Sequence, residues 1–529
     1  MLRQRRDWVL GAAVVLAASI GFFVFIQGPH PFDPATYFDA GLDFPGGGLN
    51  LFALRIGLTI PVWIATLVFG PSEAALYAVP LATGLLLAGA VYGTMVVLFR
   101  DRLLAAGTAL VAVLNAAYLL NASSIFPDTT ATATFTAGFF CLVLGAHEGL
   151  TGRWPLVVCA AAGVFFGWTY LIREFSPILI PAAVAALILL RYPWRRALLV
   201  AGAALATAAI ELVYAAVRSG NPFLHASRLL DHEGGGAGEG RVEHIQTQLG
   251  DLLDTLAVFP RLLLAWRSGW LLLLLLALFA VALALTRDRR LWLFAAWLSS
   301  YWVVMAVVGL VSLPSGAWVL NITNVRYWYP ALPALAMGGF GGLWLLVERF
   351  APRVRGIALA PVSAAALAVV VLVPGVVEFR SCEGDPAWRT EPRERWTELR
   401  SWFGTPAADR YGELWTDWRT HRLVPAYTST TFGRELWNGR ISYVLRLEGD
   451  PVPPAAREDS AILVHREFLS GDLGALRDAW RPVFVTSDGA LVVLARGEGG
   501  HSAAWWTPLE PAGERAKPGT CGISPYEPR

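Results

Sequence analysis

Apolar residues fall along this chain in long runs of roughly 18 to 25, the length that crosses a hydrocarbon core as a helix. The runs lie at 8–27, 74–98, 103–121, 129–146, 155–172, 176–191, 197–217, 268–286, 291–311, 328–348 and 356–378. Each predicts one membrane-spanning helix. A twelfth apolar stretch, 49–69, contains Arg55 and Pro61, which fit an interfacial or partly re-entrant helix better than a lipid-facing span. The stretch 155–191 is too long for one helix, and Arg173, Glu174, Ser176 and Pro177 interrupt it midway. A charge at mid-bilayer costs about 2.5–3.5 kcal/mol on insertion scales, so a hairpin with both charges at its tip is predicted.

From Phe379 onward the pattern changes to short apolar runs between charged and Pro-rich segments. Leu414–Thr416, Ile441–Leu445, Ala461–His465, Val483–Val485 and Leu491–Leu494 read as strands. Pro392–Phe403 and Asp472–Trp480 read as helices, the first with proline at its opening. The expected architecture is therefore a polytopic α-helical membrane domain over 1–378 with about eleven spans. A small α/β domain with a Pro/Gly-rich tail follows over 379–529.

Composition agrees. Of 529 residues 55% are hydrophobic and only 16% charged, against about a quarter charged in soluble proteins; the mean hydropathy is +0.51. The net charge of +2 is not gathered into a basic domain, which argues against nucleic acid as a partner. Arg3, Arg5 and Arg6 precede the first run, and Phe25-Ile26-Gln27-Gly28-Pro29 is a poor cleavage site, so an uncleaved first span is expected. Cys141 and Cys159 sit in apolar runs. Cys382 and Cys521 bracket the polar region and are either a disulfide or two free thiols.

Arginine placement fixes the expected sidedness. The clusters are Arg100 with Arg102, Arg153, Arg191 with Arg195 and Arg196, Arg287 with Arg289 and Arg290, and Arg353 with Arg355. With the N-terminus cytoplasmic and 49–69 not spanning, every cluster falls inside, as the positive-inside rule asks. The external parts are then 28–73, 122–128, the tip at 173–177, 218–267, 312–327 and 379–529. An inner or plasma membrane location follows.

Candidate chemistry lies in these external parts. The first loop carries Asp33, Tyr37, Asp39 and Asp43. A carboxylate there could serve as general base for a hydroxyl; Asp33 before Pro34 could equally cap a helix. Asp128 opens a later span and has the same two readings. Arg173 could face a phosphate, or pair locally with Glu174. Arg326 and Tyr327 precede a late span, where Arg326 is a phosphate ligand or a snorkelling anchor. Asp231, His232, Glu233, Glu243 and His244 carry divalent-metal donors in a Gly-rich loop; a plain surface loop and a mobile lid are the alternative readings. A divalent metal is the one cofactor these donors point to.

The order of these motifs resembles the polytopic GT-C glycosyltransferases, above all the bacterial relatives of the dolichyl-phosphate-mannose protein mannosyltransferases and the aminoarabinose transferases. The matching features are Asp33, Tyr37 and Ala40; Phe69-Gly70-Pro71-Ser72-Glu73-Ala74; Pro127-Asp128; Gly167 to Arg173 with Pro177; and Arg326-Tyr327 with Pro330 and Pro333. The resemblance covers about 8–378. It implies transfer of a sugar from a polyprenyl-phosphate donor to a lipid, glycan or protein acceptor at the outer face. Asp33 would be the base, Asp128 would position the acceptor or stabilise the site, and Arg173 and Arg326 would hold the phosphate. Tyr37, Glu174 and Tyr327 would complete the substrate-binding set. A transporter or flippase of lipid-linked precursors and a non-catalytic envelope assembly protein are the competing classes. The first predicts internal repeats and midplane charges, and neither is evident apart from Glu211 near the outer end of its span.

Overall fold

A computed structural model describes residues 2–30, 32–147, 149–174, 176–228, 252–308, 324–351, 353–354, 357–381, 391–430, 434–443, 459–466 and 480–496. Helix α1 (Leu2–Val24) leads into α2 (Asp33–Leu42), α3 (Leu51–Leu54) and α4 (Ile56–Phe69). The membrane bundle continues with α5 (Glu73–Phe99), α6 (Arg102–Leu114), α7 (Ala116–Ala122), α8 (Pro127–Gly145), α9 (Trp154–Ile172), α10 (Ile180–Leu189) and α11 (Trp194–Ser219). Helices α12 (Leu252–Leu264), α13 (Gly269–Thr286), α14 (Arg289–Val308), α15 (Ala331–Phe350) and α16 (Leu359–Ser381) complete it. Helices lie along the eleven predicted runs as far as they are described, the run 176–191 as a 3-10 turn, Ser176–Leu179, followed by the ten-residue α10. Among the described residues seven helices are long and apolar enough to cross a membrane by themselves. Leu205, Val213 and Val217 on α11 are largely exposed, a surface suited to lipid.

The pair α6–α7 makes an eighth candidate span, bent by 58°. Asn115 causes the bend. Its side chain donates to the carbonyls of Val111 (3.0 Å) and Ala112 (3.2 Å) and accepts from the Tyr118 amide (3.0 Å), ending one helix and capping the next. Helix α8 is the polar exception among the predicted spans. Its threonines turn hydroxyls back to carbonyls within the helix, as Thr132 does to Asp128 (2.7 Å). Thr134 also meets Thr169 of α9 at 3.0 Å. This helix is buried along most of its length by its neighbours.

The stretch 49–69 is not one helix. It breaks at Arg55, and the apolar part has 14 residues, about 21 Å at 1.5 Å per residue, too short for a core of about 30 Å. It packs on α2 and α9 through Leu58 and Val62. Helix α12 is an addition: the loop predicted over 218–267 holds a helix whose Val258, Phe259, Leu262 and Leu263 are buried.

Two turns at the far ends share one construction. Arg100 and Arg287 end their helices in the left-handed region (φ 59° and 51°), and the aspartate that follows starts the next helix. Asp101 accepts from the Leu104 amide and Asp288 from the Arg290 amide. The arginine clusters at 100–102, 153, 191–196 and 287–290 thus gather at one end of the bundle. The helix ends carrying Asp33, Asp128, Arg173 and Arg326 gather at the other.

Between α15 and α16, β1 (Arg353–Val354) and β2 (Ile357–Ala358) form a minimal ladder. The C-terminal domain is a five-stranded mixed sheet of β3 (Glu413–Thr416), β4 (Arg440–Tyr443), β5 (Ser460–His465), β6 (Trp480–Val485) and β7 (Leu491–Arg496), in the order 4-3-5-7-6. All five strands lie where predicted. Helix α17 (Arg393–Phe403) covers the sheet, with Pro392 one residue before its first turn. Of the predicted helix Asp472–Trp480, 472–479 lie outside the described residues, and Trp480 opens β6 instead. A short helix, α18 (Trp418–Leu423), turns back toward α2.

This domain does not hang free. Trp396, Trp402, Tyr427 and Leu463 form one apolar core with Tyr37 and Phe38 of α2, Val62 of α4 and Tyr77 of α5. At the seam, Glu73 accepts from Arg393 (2.6 Å) and Arg400 (2.7 Å) of α17, and the Glu391 amide donates to the Pro29 carbonyl at 2.9 Å. Gly28 lies so close that a Cβ there would sit 1.6 Å from the Glu391 carbonyl oxygen. Gly28→Ala must therefore separate the α1 exit from the C-terminal domain. It is expected to cost about 1–3 kcal/mol, read as a lower thermal midpoint and easier proteolytic release of that domain.

Candidate active site

Four residues from distant parts of the chain meet at the helix ends below the C-terminal domain. Asp33 is the first residue of α2. It makes no cap hydrogen bond, and Phe32 holds the N-cap position. Its carboxylate instead accepts from Nη1 of Arg326 at 3.1 Å. Asp128, second in α8, is likewise not a cap. It is 3% exposed, and its Oδ1 pairs with Nε of Arg173 at 2.9 Å. Its Oδ2 faces Nε of Arg326 at 3.9 Å. The capping readings of both aspartates are thus replaced by ion pairs, giving the series Asp33–Arg326–Asp128–Arg173.

Local structure holds each member. Arg326 lies in a 3-10 turn, Val325–Trp328, whose Arg326 amide is bound by the Asn324 side chain at 3.1 Å. Tyr327 lies between the cations, its ring 4.7 Å from the Arg173 guanidinium carbon and 5.2 Å from that of Arg326. Its carbonyl accepts from the Tyr301 hydroxyl. Phe126 flanks Arg326 at 5.4 Å. Such contacts hold a guanidinium without using all of its donors. Asp128 Oδ2 and Arg326 Nε are buried without a hydrogen-bond partner, which leaves polar capacity at the centre of the site. A cleft with about 30 Å³ of free space opens beside them. Asp128, Arg173 and Tyr327 line its polar side, and Ile178, Leu179 and Met305 its apolar side.

Electrostatics divides the carboxylates of the first loop. Burial tends to raise the Asp33 carboxyl, but Arg326 outweighs it and holds Asp33 below the usual carboxylate range. Asp39, on the same helix, is pushed up to about 6 by burial and by the nearby Asp43. It faces Arg422 of the C-terminal domain at 4.0 Å and stands apart from the four-residue series.

Behind the site runs a second buried series. The Tyr37 hydroxyl accepts from Arg55, and Arg55 also binds Glu174, with Nε to Oε2 at 2.9 Å. His225 continues it, 3.9 Å from Glu174 and 2.7 Å from Glu211. Glu174 is thus the partner of Arg55 and not of its neighbour Arg173, so the local pair at the hairpin tip is not formed. Tyr37, its hydroxyl pushed up to about 12 by burial against the pull of Arg55, braces the site from behind. Arg55 is the residue that the sequence reading missed. A charge inside an apolar stretch was its one visible signal.

His232, Glu233 and His244, with Asp231 and Glu243, lie outside the described residues, as do Cys382 and Cys521. Among the described residues no group of three or more His, Cys, Asp or Glu side chains could hold a metal ion.

The fold is shared with solved structures. ArnT from Cupriavidus metallidurans in the apo state aligns with a TM-score of 0.56 at 14% identity, over 94% of this chain and all (100%) of that one. The same protein bound to undecaprenyl phosphate aligns with a TM-score of 0.55 at 14% identity, over 93% of this chain and 99% of that one. The likeness shows that this chain shares the fold of that polytopic protein over most of its length. No family model matches the chain, and no curated protein does.

Glu174 offers a test of the second series. Burial would raise its carboxyl, but Arg55 lowers it from 4.5 to about 2. A depressed folded pKa stabilises above the ordinary value, and that gain is lost as pH falls through the folded one. The difference in unfolding midpoint between wild type and Glu174→Gln should be greatest at neutral pH. It should shrink from about pH 4.5 downward and vanish near pH 2. Arg55→Met, which leaves the carboxylate buried and unpaired, should cost about 3–5 kcal/mol at pH 7.

Proposed function

We propose that this protein is a membrane glycosyltransferase that moves a sugar from a polyprenyl-phosphate donor to an acceptor hydroxyl, with Asp33 as general base. One observation carries the reading: two aspartates and two arginines from positions 33, 128, 173 and 326 converge at one set of helix ends, with neither aspartate spent on capping. A transporter would be expected to place such groups near the bilayer midplane, and a scaffold has no reason to bring them together. The fold likeness to a protein solved with undecaprenyl phosphate supports a carrier of that class here.

In the proposed reaction, the acceptor oxygen attacks the anomeric carbon from the face opposite the phosphate. The bond from that carbon to the phosphate oxygen breaks, and the carrier phosphate leaves with the electron pair. The hydroxyl proton passes to the Asp33 carboxylate, and the anomeric configuration inverts. Arg173 and Arg326 neutralise the phosphate as its charge grows. Asp128, fixed between them, keeps the two guanidiniums apart and oriented. In the structure Arg326 is the counterion of Asp33. A donor phosphate takes over Arg326 and returns Asp33 toward ordinary basicity, so the base is released only when there is sugar to transfer. This differs from Asp39, whose higher pKa would make it the stronger base but which faces the C-terminal domain.

The proposed setting is an inner or plasma membrane crossed by all eleven helical runs. The N-terminus and the arginine clusters are cytoplasmic, and the site and the C-terminal domain are extracytoplasmic. The acceptor is a lipid, glycan or protein hydroxyl.

Transfer is best measured on protein in proteoliposomes with labelled polyprenyl-phosphate sugars. Asp33→Asn should lower kcat by about 10²–10⁴-fold with little change in donor KM, and full activity in that variant would overturn the assignment. Arg326→Gln should raise donor KM. Since Arg326 holds Asp33 low, its loss should also move the acidic limb of kcat/KM to higher pH.

A further inference from the structure

A cavity of about 430 Å³ lies at the arginine-rich end of the bundle, among Val97, Phe99, Arg100, Val143, His147, Leu190 and Arg290. Its volume is in the range of small-molecule sites. It is remote from the candidate active site: Val143 is fifteen residues along α8 from Asp128, roughly 22 Å at the helical rise. The cavity lies at the opposite helix ends, beside Arg100, which ends α5, and Arg290 in the first turn of α14, the end proposed to face the cytoplasm.

Its walls divide by chemistry. Val97, Val143 and Leu190 give an apolar side, with Val143 set in the bundle core. The other side is cationic. Arg290 lies 4.8 Å from the Phe99 ring centroid and is neutralised by Asp288 at 2.8 and 3.0 Å. Its Nη1 donates to the Leu98 carbonyl at 3.3 Å, which answers the partial negative charge of the α5 C-terminus. Arg196 does the same for the α8 C-terminus, donating to the Gly145 carbonyl at 3.3 Å. The helix-end carbonyls are therefore partly served by other arginines. Arg100 and His147 line the cavity, and among the described residues their side chains make no hydrogen bond or ion pair. Arg100 is held out by its left-handed backbone (φ 59°), which ends α5 and fixes where the side chain departs.

We infer that this cavity binds one anionic phospholipid of the adjoining leaflet, its phosphate on Arg100 and His147 and its first acyl carbons against Val97, Val143 and Leu190. An unengaged guanidinium beside an apolar wall at the helix ends is complementary to such a lipid; a zwitterionic headgroup offers the same phosphate, but its quaternary ammonium is repelled by the neighbouring cations. The site is independent of the glycosyl-transfer reading.

The test uses full-length protein in neutral detergent, offered equal amounts of phosphatidylglycerol and phosphatidylcholine, with retained lipid counted by native mass spectrometry. Wild type should retain phosphatidylglycerol preferentially. Arg100→Asn, chosen because asparagine tolerates a positive φ, should lower that preference about fivefold, as one basic contact implies. Arg100→Lys should keep it, so the comparison of these two variants reads charge alone. Both should melt like wild type in phosphatidylcholine only. Equal retention of the two lipids by wild type, or the same preference in Arg100→Asn and Arg100→Lys, overturns the proposal. So does inorganic phosphate that displaces phosphatidylglycerol at millimolar concentration, since it would assign a soluble anion instead.

Discussion

A charge taken from water at the end of a helix bundle must meet an opposite charge or it will not stay ionised. This constraint organises the C-terminal-domain end of the protein. Asp128 is answered by Arg173 and Arg326, Glu174 by Arg55, and Glu73 by Arg393 and Arg400. In each case the partner comes from a different element. The pairs therefore act as ties between α4, α5, α8, α9, the 3-10 turn before α15 and the first helix of the C-terminal domain. Apolar packing brings these ends near one another. Ion pairing decides which residues face which, and so sets the register of the site.

The same constraint gives similar groups different properties. Asp33 and Asp39 are six residues apart on one short helix. The first is held low by Arg326, and the second is raised by burial and by Asp43. The first points to the membrane helices and the second to the sheet domain. A helix of ten residues thereby carries one carboxylate suited to a site and another committed to an interface.

The bundle was legible in the sequence because span length and arginine placement are local properties. The five strands were legible because their short apolar runs are bounded by turn residues. The break in 49–69 could be anticipated from Arg55 and Pro61, and the hairpin at 173–177 from the cost of burying its charges. The pairing was not legible. Arg173 and Glu174 are neighbours that turn to different partners, since the extended backbone at Arg173 sends successive side chains apart. Nothing local reports that Arg55, 119 residues before Glu174, supplies the answering charge. The capping readings of Asp33 and Asp128 failed for a related reason: a cap is a local bond, and here a distant guanidinium competes for the same oxygens. Helix α12 was missed because its apolar face covers only one side, too little to stand out from a polar loop.

The apolar core shared by α2, α4, α5 and the sheet domain has a consequence for biosynthesis. Synthesis runs from the N-terminus, and domains generally fold in that order. The helix carrying Asp33 emerges among the first forty residues, yet the wall behind it, Trp396, Tyr427 and Leu463, is made last. The first loop must therefore wait beside a nearly complete bundle until the final hundred or so residues have arrived on its side of the membrane. A chain interrupted before that point has its membrane helices but lacks the apolar wall that backs the first loop. Packing of that loop thus doubles as a record that translation reached the C-terminal domain.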